Sequence, residues 1–341
     1  MKLAFVGFRH GHIFAMVQHA QATPAIEIVA ACEEDAATRQ ALTARSDIQI
    51  THETLDAMLA QVDCDAVAVG DTYGRHGELI LKLLAHGKHV IVDKPVCISL
   101  AELAAIEEQV RVTGLKLGCM LDLRDSPQII GLRTLIRDGL IGDVHAITFG
   151  GQHPLNLGTR PAWYFEPGQH GGTLNDIAIH AVDALPWITG LQFSQILAAR
   201  TWNAFATDYP PFQDAAQLLV TMGNQAGENN CGVLGDVSYF MPNSMGYTLP
   251  HYWRMTFWGR KGLVETSATT DHLLVALDGE RAPRPIALPP GNRAGYLTAF
   301  LHDIAGATQA GELTTAAVLQ AARIALQIQQ VADSNAPGHR L

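Results

Sequence analysis

The chain has 341 residues, 48% hydrophobic and 16% charged, an ordinary globular mix that supports two domains and excludes a disordered chain. Its formal charge is −10 and it has no basic run, which excludes the clustered Lys and Arg that bind nucleic acid or an anionic membrane. The opening MKLAFVGFRHGH is too polar for a signal segment, and no apolar run approaches the roughly 18 residues of a membrane span, so a cytoplasmic protein is expected.

Strand and helix signals alternate over the first third of the chain. Leu3–Val6, Ile26–Ala31, Ala66–Val69 and Val90–Val92 are apolar throughout, as strands buried on both faces are. Helical stretches fall between and after them at 12–22, 36–44, 77–84 and 100–112. Ser99 and Glu102 open the last as a capping box. Such repetition predicts a doubly wound parallel sheet of the Rossmann type over residues 1–122.

Beyond it, Ser126-Pro127 opens a helix, with Pro where its missing N–H costs nothing. Val144–Phe149 reads as a strand, followed by a Gly/Pro-rich loop and a helix over 173–187. Six strand signals then follow without intervening helices: 196–202, 216–222, 232–240, 253–258, 263–265 and 273–277. Residues 123–341 are therefore expected to form an α+β domain with a large, mostly antiparallel open sheet. A final helix at 315–332 is expected to pack back near the first domain.

The first strand runs into Gly7-Phe8-Arg9-His10-Gly11-His12. Of the G-x-G-x-x-G dinucleotide fingerprint only Gly7 is in register; Arg9 and His12 take the second and third glycine positions. Gly7 and Gly11 can still supply the tight turn, and Arg9 can pair with a diphosphate. Glu33 ends the second strand 21 residues beyond His12, near the spacing for an acid that holds the adenine ribose. A carboxylate there repels a 2′-phosphate, so NAD is favoured over NADP.

Two later segments carry a family resemblance. His76-Gly-Glu-Leu and His86-Gly-Lys-His-Val-Ile-Val-Asp93-Lys94-Pro95 resemble a "GKHVxxEKP" signature with Asp93 in place of Glu. His170-Gly-Gly-Thr-Leu-Asn-Asp176-Ile-Ala-Ile-His180-Ala-Val-Asp183 resembles GGGxLxDxxxHxxD, with His170 in place of the first glycine. Together with Arg124 and the Ile141-Gly-Asp-Val turn, they make the chain similar over essentially its whole length to the Gfo/Idh/MocA oxidoreductases. Members of that family include glucose–fructose oxidoreductase and inositol dehydrogenase.

Read chemically, Asp176, His180 and Asp183 at i, i+4 and i+7 make one polar stripe on a helix. Oxidising an alcohol needs a base for the hydroxyl proton, and an imidazole suits that near neutral pH. Lys94 follows a buried strand and can steady a developing alkoxide. Lys94, Asp176 and His180 are the catalytic candidates, with Asp183 read as structural. The resemblance implies cofactor contacts from the Gly7–His12 turn (Gly7, Phe8, Arg9, His10, Gly11, His12), Glu33, Thr72, Tyr73, His76, Asp93, Lys94 and Arg124. Tyr73 departs from the family's usual Thr-Pro, in reach of stacking near the dinucleotide. For the substrate it implies His153, Asn156, Arg160, Trp163 and Tyr164 beside Asp176 and His180, a set that suits a sugar or cyclitol.

Cys32, Cys64, Cys97, Cys119 and Cys231 are scattered and never spaced as CxxC, which argues against a disulfide framework or structural zinc and for a reducing compartment. With no HExxH motif or facial triad to read, no metal is expected, although His10, His12 and His76 should share one sheet edge. The leading expectation is an NAD(P)-dependent dehydrogenase acting on a secondary hydroxyl or carbonyl of a sugar, inositol or polyol. The alternatives are a non-catalytic dinucleotide-binding sensor of the same fold, and chemistry with a tightly held cofactor. Leu218, Val220 and Met222 alternate with small or polar residues, and an apolar open sheet face would be buried in a homodimer or homotetramer.

Overall fold

Strands that are apolar without alternation can only be satisfied between two layers, and those near the N-terminus form a parallel sheet covered on both faces. In the computed structural model, which describes residues 1–224 and 231–334, β1 (Lys2–Val6) leads through α1 (His12–Gln21) to β2 (Glu27–Cys32). There follow α2 (Ala36–Leu42), α3 (Leu55–Gln61), β3 (Ala66–Val69), α4 (Tyr73–Ala85), β4 (His89–Val92), α5 (Leu100–Thr113) and β5 (Leu117–Cys119). The strand order is β2-β1-β3-β4-β5, all parallel. From β1 the chain winds outward one way to β2 and the other way to β3. The crevice of such a sheet lies at this reversal, outside the carboxyl ends of the strands. The loops leaving β1, β3 and β4 there carry Gly7–Gly11, Gly70–Thr72 and Asp93–Lys94.

The capping box at α5 forms with a shift of one residue. Ser99 Oγ accepts from the Glu102 N–H at 3.2 Å, while the Glu102 carboxylate takes the Ile98 N–H at 3.1 Å rather than that of Ser99. Gly114, at φ 71°, ends the helix.

The second unit begins with α6 (Pro127–Arg137), β6 (Val144–Pro154) and α7 (Ile179–Thr189). Its sheet continues with β7 (Gln192–Trp202), β8 (Ala215–Gly223), β9 (Cys231–Met241), β10 (Met255–Gly259), β11 (Gly262–Thr266), β12 (His272–Leu277) and β13 (Arg284–Ala287). The order is β13-β12-β11-β10-β6-β9-β8-β7, antiparallel except for the central β6–β9 pair. α8 (Gly295–Ile304) and α9 (Thr315–Asp333) close the chain. The units are not separated by a single cut: residues 1–121, 168–171 and 293–323 form the first, and 122–167, 172–292 and those from 324 onward the second.

On the large sheet, Leu218, Val220 and Met222 are buried. They face the covered side, so the open face is carried by their neighbours instead: Leu219, at 39% exposure, with Leu197, Leu234 and Trp258. All five cysteines are buried free thiols. Among the described residues, no helix is long and apolar enough to cross a membrane.

Gly7 fixes the spacing of the sheet edge. At φ +76°, a Cβ on it would lie 2.7 Å from the Asp71 backbone nitrogen, which cannot move without displacing the end of β3. Gly7→Ala is therefore expected to cost at least about 2 kcal/mol of stability. Urea denaturation followed by circular dichroism checks this, and an unchanged midpoint would show that the turn relaxes freely.

Candidate active site

In the first unit, the backbone holds the glycine turn before any side chain does. Gly7 N–H donates to Cys32 O at 3.0 Å, and Arg9 and His10 N–H both donate to Gly70 O, at 3.0 and 3.3 Å. Phe8 N–H donates to Glu33 Oε2 at 2.6 Å, and Asp35 N–H donates to the other Glu33 oxygen at 2.8 Å. Glu33 is only 1% exposed, and burial pushes its carboxyl up against the pull of these donors. It thus ties the turn to α2 through both oxygens. Arg9 reaches Asp35 at 3.8 Å.

Two observations bear on whether this edge fits a dinucleotide. Gly11, the N-cap of α1, has no side-chain cap, and a Cβ added to it would meet nothing within 4 Å. Open space above a helix N-terminus without a side-chain cap suits a diphosphate. Thr72 Oγ1, at the start of α4, is buried with no hydrogen-bond partner among the described residues. A ligand hydroxyl or amide would satisfy it.

Beside the turn, Asp93 is fully buried at the end of β4. With the ring proton on Nδ1, His10 and His12 each donate to one of its oxygens; the His12 contact is 3.1 Å. One donor atom from each of these three residues lies within 4.8 Å of the others, close enough to hold a metal ion. Burial pushes the His10 imidazole down to about 4, against the pull of the Asp93 charge. Desolvation opposes the Asp93 charge, but the two imidazoles outweigh it and hold the carboxyl well below its usual range. Tyr73 Oη faces His10 Nε2 at 3.1 Å, and Lys94 Nζ donates to the same hydroxyl at 3.2 Å. Tyr73 therefore orients the lysine from below. His76 lies apart from the His10–His12 pair: its ring nitrogens face Pro95 O at 2.7 Å and Asp71 O at 3.1 Å, tying together the loops after β3 and β4.

The second unit departs from the expected single helical stripe. Leu174–Ala178 is one π-helical turn that passes into α7. Its N-terminal Leu174 and Asn175 N–H groups donate to Gln329 Oε1, at 2.9 and 3.3 Å. Gly172, at φ +94°, leaves room for that side chain: a Cβ there would lie 2.2 Å from Gln329. Such π turns are often found at functional sites. Asp176 accepts a short hydrogen bond from Tyr239, whose phenol burial and the carboxylate together push well above its usual value. His180 packs edge-on against Trp253, ring centroids 5.6 Å apart. Asp183 receives the Arg124 guanidinium on both oxygens, the Nε contact at 2.7 Å. Arg124, expected beside the cofactor, has this buried ion pair and the Trp187 ring at 5.4 Å as neighbours.

The expected substrate residues divide. Arg160 lies over the rings of Tyr164 and Tyr239, at 4.6 and 4.8 Å, and donates to Leu155 O and Pro154 O. His153 is surrounded by Tyr239, Tyr247, Tyr252 and Trp253. Trp163 is buried and stacks on Tyr164 at 4.1 Å, and the Asn156 N–H donates to Asn243 Oδ1 at 2.8 Å. Sequence reasoning missed Tyr239 and Gln329. Tyr239 continues the alternation of Val233, Gly235 and Val237 on the buried face of β9, which was the available signal.

A parallel sheet whose glycine turn leads into an uncapped helix, with a lysine at the same edge, is the dinucleotide-binding half of an oxidoreductase. Residues 1–120 match the family model "Oxidoreductase family, NAD-binding Rossmann fold", and residues 129–265 match "GFO/IDH/MocA C-terminal domain". The chain belongs to the Gfo/Idh/MocA oxidoreductase family, and its first unit is an NAD-binding Rossmann domain. It is 29% identical over 137 residues to inositol 2-dehydrogenase of Rhizobium meliloti, covering 40% of each chain. It is 28% identical over 165 residues to 1,5-anhydro-D-fructose reductase of Ensifer adhaerens, covering 48% of this chain and 49% of that one. The chain thus spans about half the length of such curated relatives. The fold matches a crystal structure of an oxidoreductase from Agrobacterium radiobacter in complex with NAD+, L-tartaric acid and magnesium, with TM-score 0.78 and 18% identity over 99% of this chain and 97% of that one.

The Arg124–Asp183 pair is buried, so removing one charge strands the other. Asp183→Asn is expected to destabilise the protein by about 3–5 kcal/mol. Chemical denaturation measures this, and a loss below about 1 kcal/mol would mean that water reaches the pair.

Proposed function

We propose that the protein is a dehydrogenase that transfers hydride between a nicotinamide cofactor and a secondary hydroxyl or carbonyl of a sugar, inositol or related polyol. The observation that carries this reading is Lys94: a lysine at the carboxyl edge of the parallel sheet, its Nζ oriented by the Tyr73 hydroxyl at 3.2 Å. The names of the two curated relatives, a cyclitol dehydrogenase and an anhydrosugar reductase, support the substrate class. The cofactor, when bound, supplies or accepts the hydride. The Gly7–His12 turn, the N-terminus of α1 and Thr72 would hold it, and buried Glu33 would fix the shape of the turn.

On the substrate side, Lys94 donates a hydrogen bond to the reacting oxygen and stabilises negative charge developing there. His180 takes the hydroxyl proton in oxidation and returns it in reduction, with its ring held edge-on by Trp253. Asp176, braced by Tyr239, binds a neighbouring hydroxyl. NAD is the preferred cofactor in this reading, and the five free, buried thiols fit a cytoplasmic setting.

Calorimetric titration with NAD+ and NADP+, followed by a polyol screen monitored by nicotinamide absorbance, tests the proposal. Lys94→Met and His180→Asn are each expected to lower kcat about 10²–10⁴-fold while NAD+ affinity stays within a few-fold. Turnover undiminished in both variants would remove them from the chemistry. Failure of the wild type to bind either dinucleotide would sink the dehydrogenase reading and favour a degenerate site.

We also propose that a second copy of the chain covers the open face of the large sheet, where Leu197, Leu219, Leu234 and Trp258 are exposed. Leu219→Asp is then expected to yield a monomer, read by light scattering coupled to size exclusion. A wild type that is already monomeric at micromolar concentration would dismiss the idea.

A further inference from the structure

The Gly7–His12 turn and the Asp93-Lys94-Pro95 segment each depart from their motifs, and the departures meet in space. His12 stands at the third glycine position of the fingerprint, with His10 two residues before it; Asp93 stands where the related signature carries Glu; Tyr73 follows Thr72 where the family usually reads Thr-Pro. The structure places both imidazoles on the Asp93 carboxylate, one on each oxygen, with the Tyr73 hydroxyl behind His10. Residues that merely filled a phosphate turn would have no reason to converge on one buried acid.

We propose that His10 Nδ1, His12 Nδ1 and the Asp93 carboxylate bind one divalent transition metal ion of the zinc class. Their donor atoms already lie within 4.8 Å of one another, so small side-chain rotations bring all three to the 2.0–2.2 Å of metal–nitrogen and metal–oxygen bonds. Two imidazole nitrogens and one carboxylate oxygen suit zinc, iron(II) or cobalt(II), and not magnesium or calcium, which take oxygen ligands.

The supporting structure is what a bound metal requires. Asp93 is fixed by the end of β4, and the Arg9 and His10 N–H groups are held on Gly70 O, so the ligands stand on rigid backbone. With a metal on Nδ1, the His10 ring proton moves to Nε2 and donates to Tyr73 Oη at 3.1 Å, a contact that fixes the ring and its tautomer. A bound metal would place a full positive charge on this buried carboxylate. The His12 side chain is 40% exposed, which gives the ion a route in. Three protein ligands leave a coordination position for water or another oxygen ligand, the pattern of an open site rather than a structural one. Spacing placed His10 and His12 at one sheet edge but did not single out Asp93, which lies 81 residues beyond His12 in a different motif.

The inference does not depend on the dehydrogenase reading, and its test reads metal rather than turnover. Tag-free protein is stripped with chelator, dialysed, and titrated with zinc(II), with retained metal measured by mass spectrometry after gel filtration. Cobalt(II) is added separately to the stripped protein to read its visible d–d absorption. One equivalent of zinc per chain and an intense tetrahedral or five-coordinate cobalt spectrum are expected. His12→Ala, chosen because the side chain is partly exposed, should weaken zinc binding about 100-fold or more, and Tyr73→Phe about 10-fold. His272→Ala, a surface histidine, should leave the stoichiometry unchanged, and circular dichroism confirms that each variant is folded. No retained equivalent in the wild type, or zinc affinity in folded His12→Ala equal to wild type, overturns the proposal. Either result is reached whether or not any polyol is oxidised, so it is separable from failure of the enzymatic reading.

Discussion

A carboxylate removed from water must be compensated where it stands, and this protein buries several, among them Glu33 and Asp93 in the first unit and Asp176 and Asp183 in the second. Glu33, Asp93, Asp176 and Asp183 are all 5% exposed or less, and each has a different kind of partner. Glu33 takes two backbone N–H groups, Asp93 two imidazoles, Asp176 a phenol, and Asp183 a guanidinium. The glycine turn, the end of β4 and the contact between α7 and the segment before α6 are each tied by one of these acids. Leaving any one of them bare would cost more than most single contacts contribute.

The partner also decides what each acid can do. A guanidinium stays charged and its fork fills both carboxylate oxygens, so Asp183 has nothing left to offer a ligand. Backbone N–H groups are likewise fixed, which makes Glu33 a brace for the turn. Imidazoles and phenols differ, since each can exchange its proton, change tautomer or give up its donor to a metal ion. The two acids so partnered, Asp93 and Asp176, lie respectively next to Lys94 and one helical turn before His180. Exchangeable compensation thus sits beside Lys94 and His180, the residues proposed for the chemistry, and fixed compensation at Glu33 and Asp183.

This difference explains how much was legible in the sequence. The parallel strands could be read because burial on both faces leaves an unbroken apolar run, and the motif-bearing residues could be read because their spacing carries the resemblance. The partners could not. Tyr239 and Gln329 are 63 and 155 residues from the groups they satisfy, and no local pattern encodes such a pairing. β6 was expected to stop at Phe149 because Gly150, Gly151 and Pro154 read as a loop. It continues because it lies in the sheet interior between β10 and β9, where pairing overrides local preference. Gly151 even has a packing reason: a Cβ there would lie 3.0 Å from both Ile177 and Val237. β13 was missed for the opposite reason, since it holds Pro285 and sits at the sheet edge, where a strand tolerates proline.

The π-helical turn shows how a long-range partner rewrites a local motif. By spacing alone, Asp176, His180 and Asp183 fall on one α-helical face and would be expected to act as a unit. Gln329, however, accepts the first N–H groups of the segment, and Gly172 allows its close approach. The chain enters α7 through this wider turn, and the side chains of the motif are held by partners far away in sequence. Asp176 is turned to Tyr239, His180 to Trp253, and Asp183 to Arg124. The three polar positions of DxxxHxxD are thus distinguished by their partners, a phenol, an indole and a guanidinium, which residue spacing does not record.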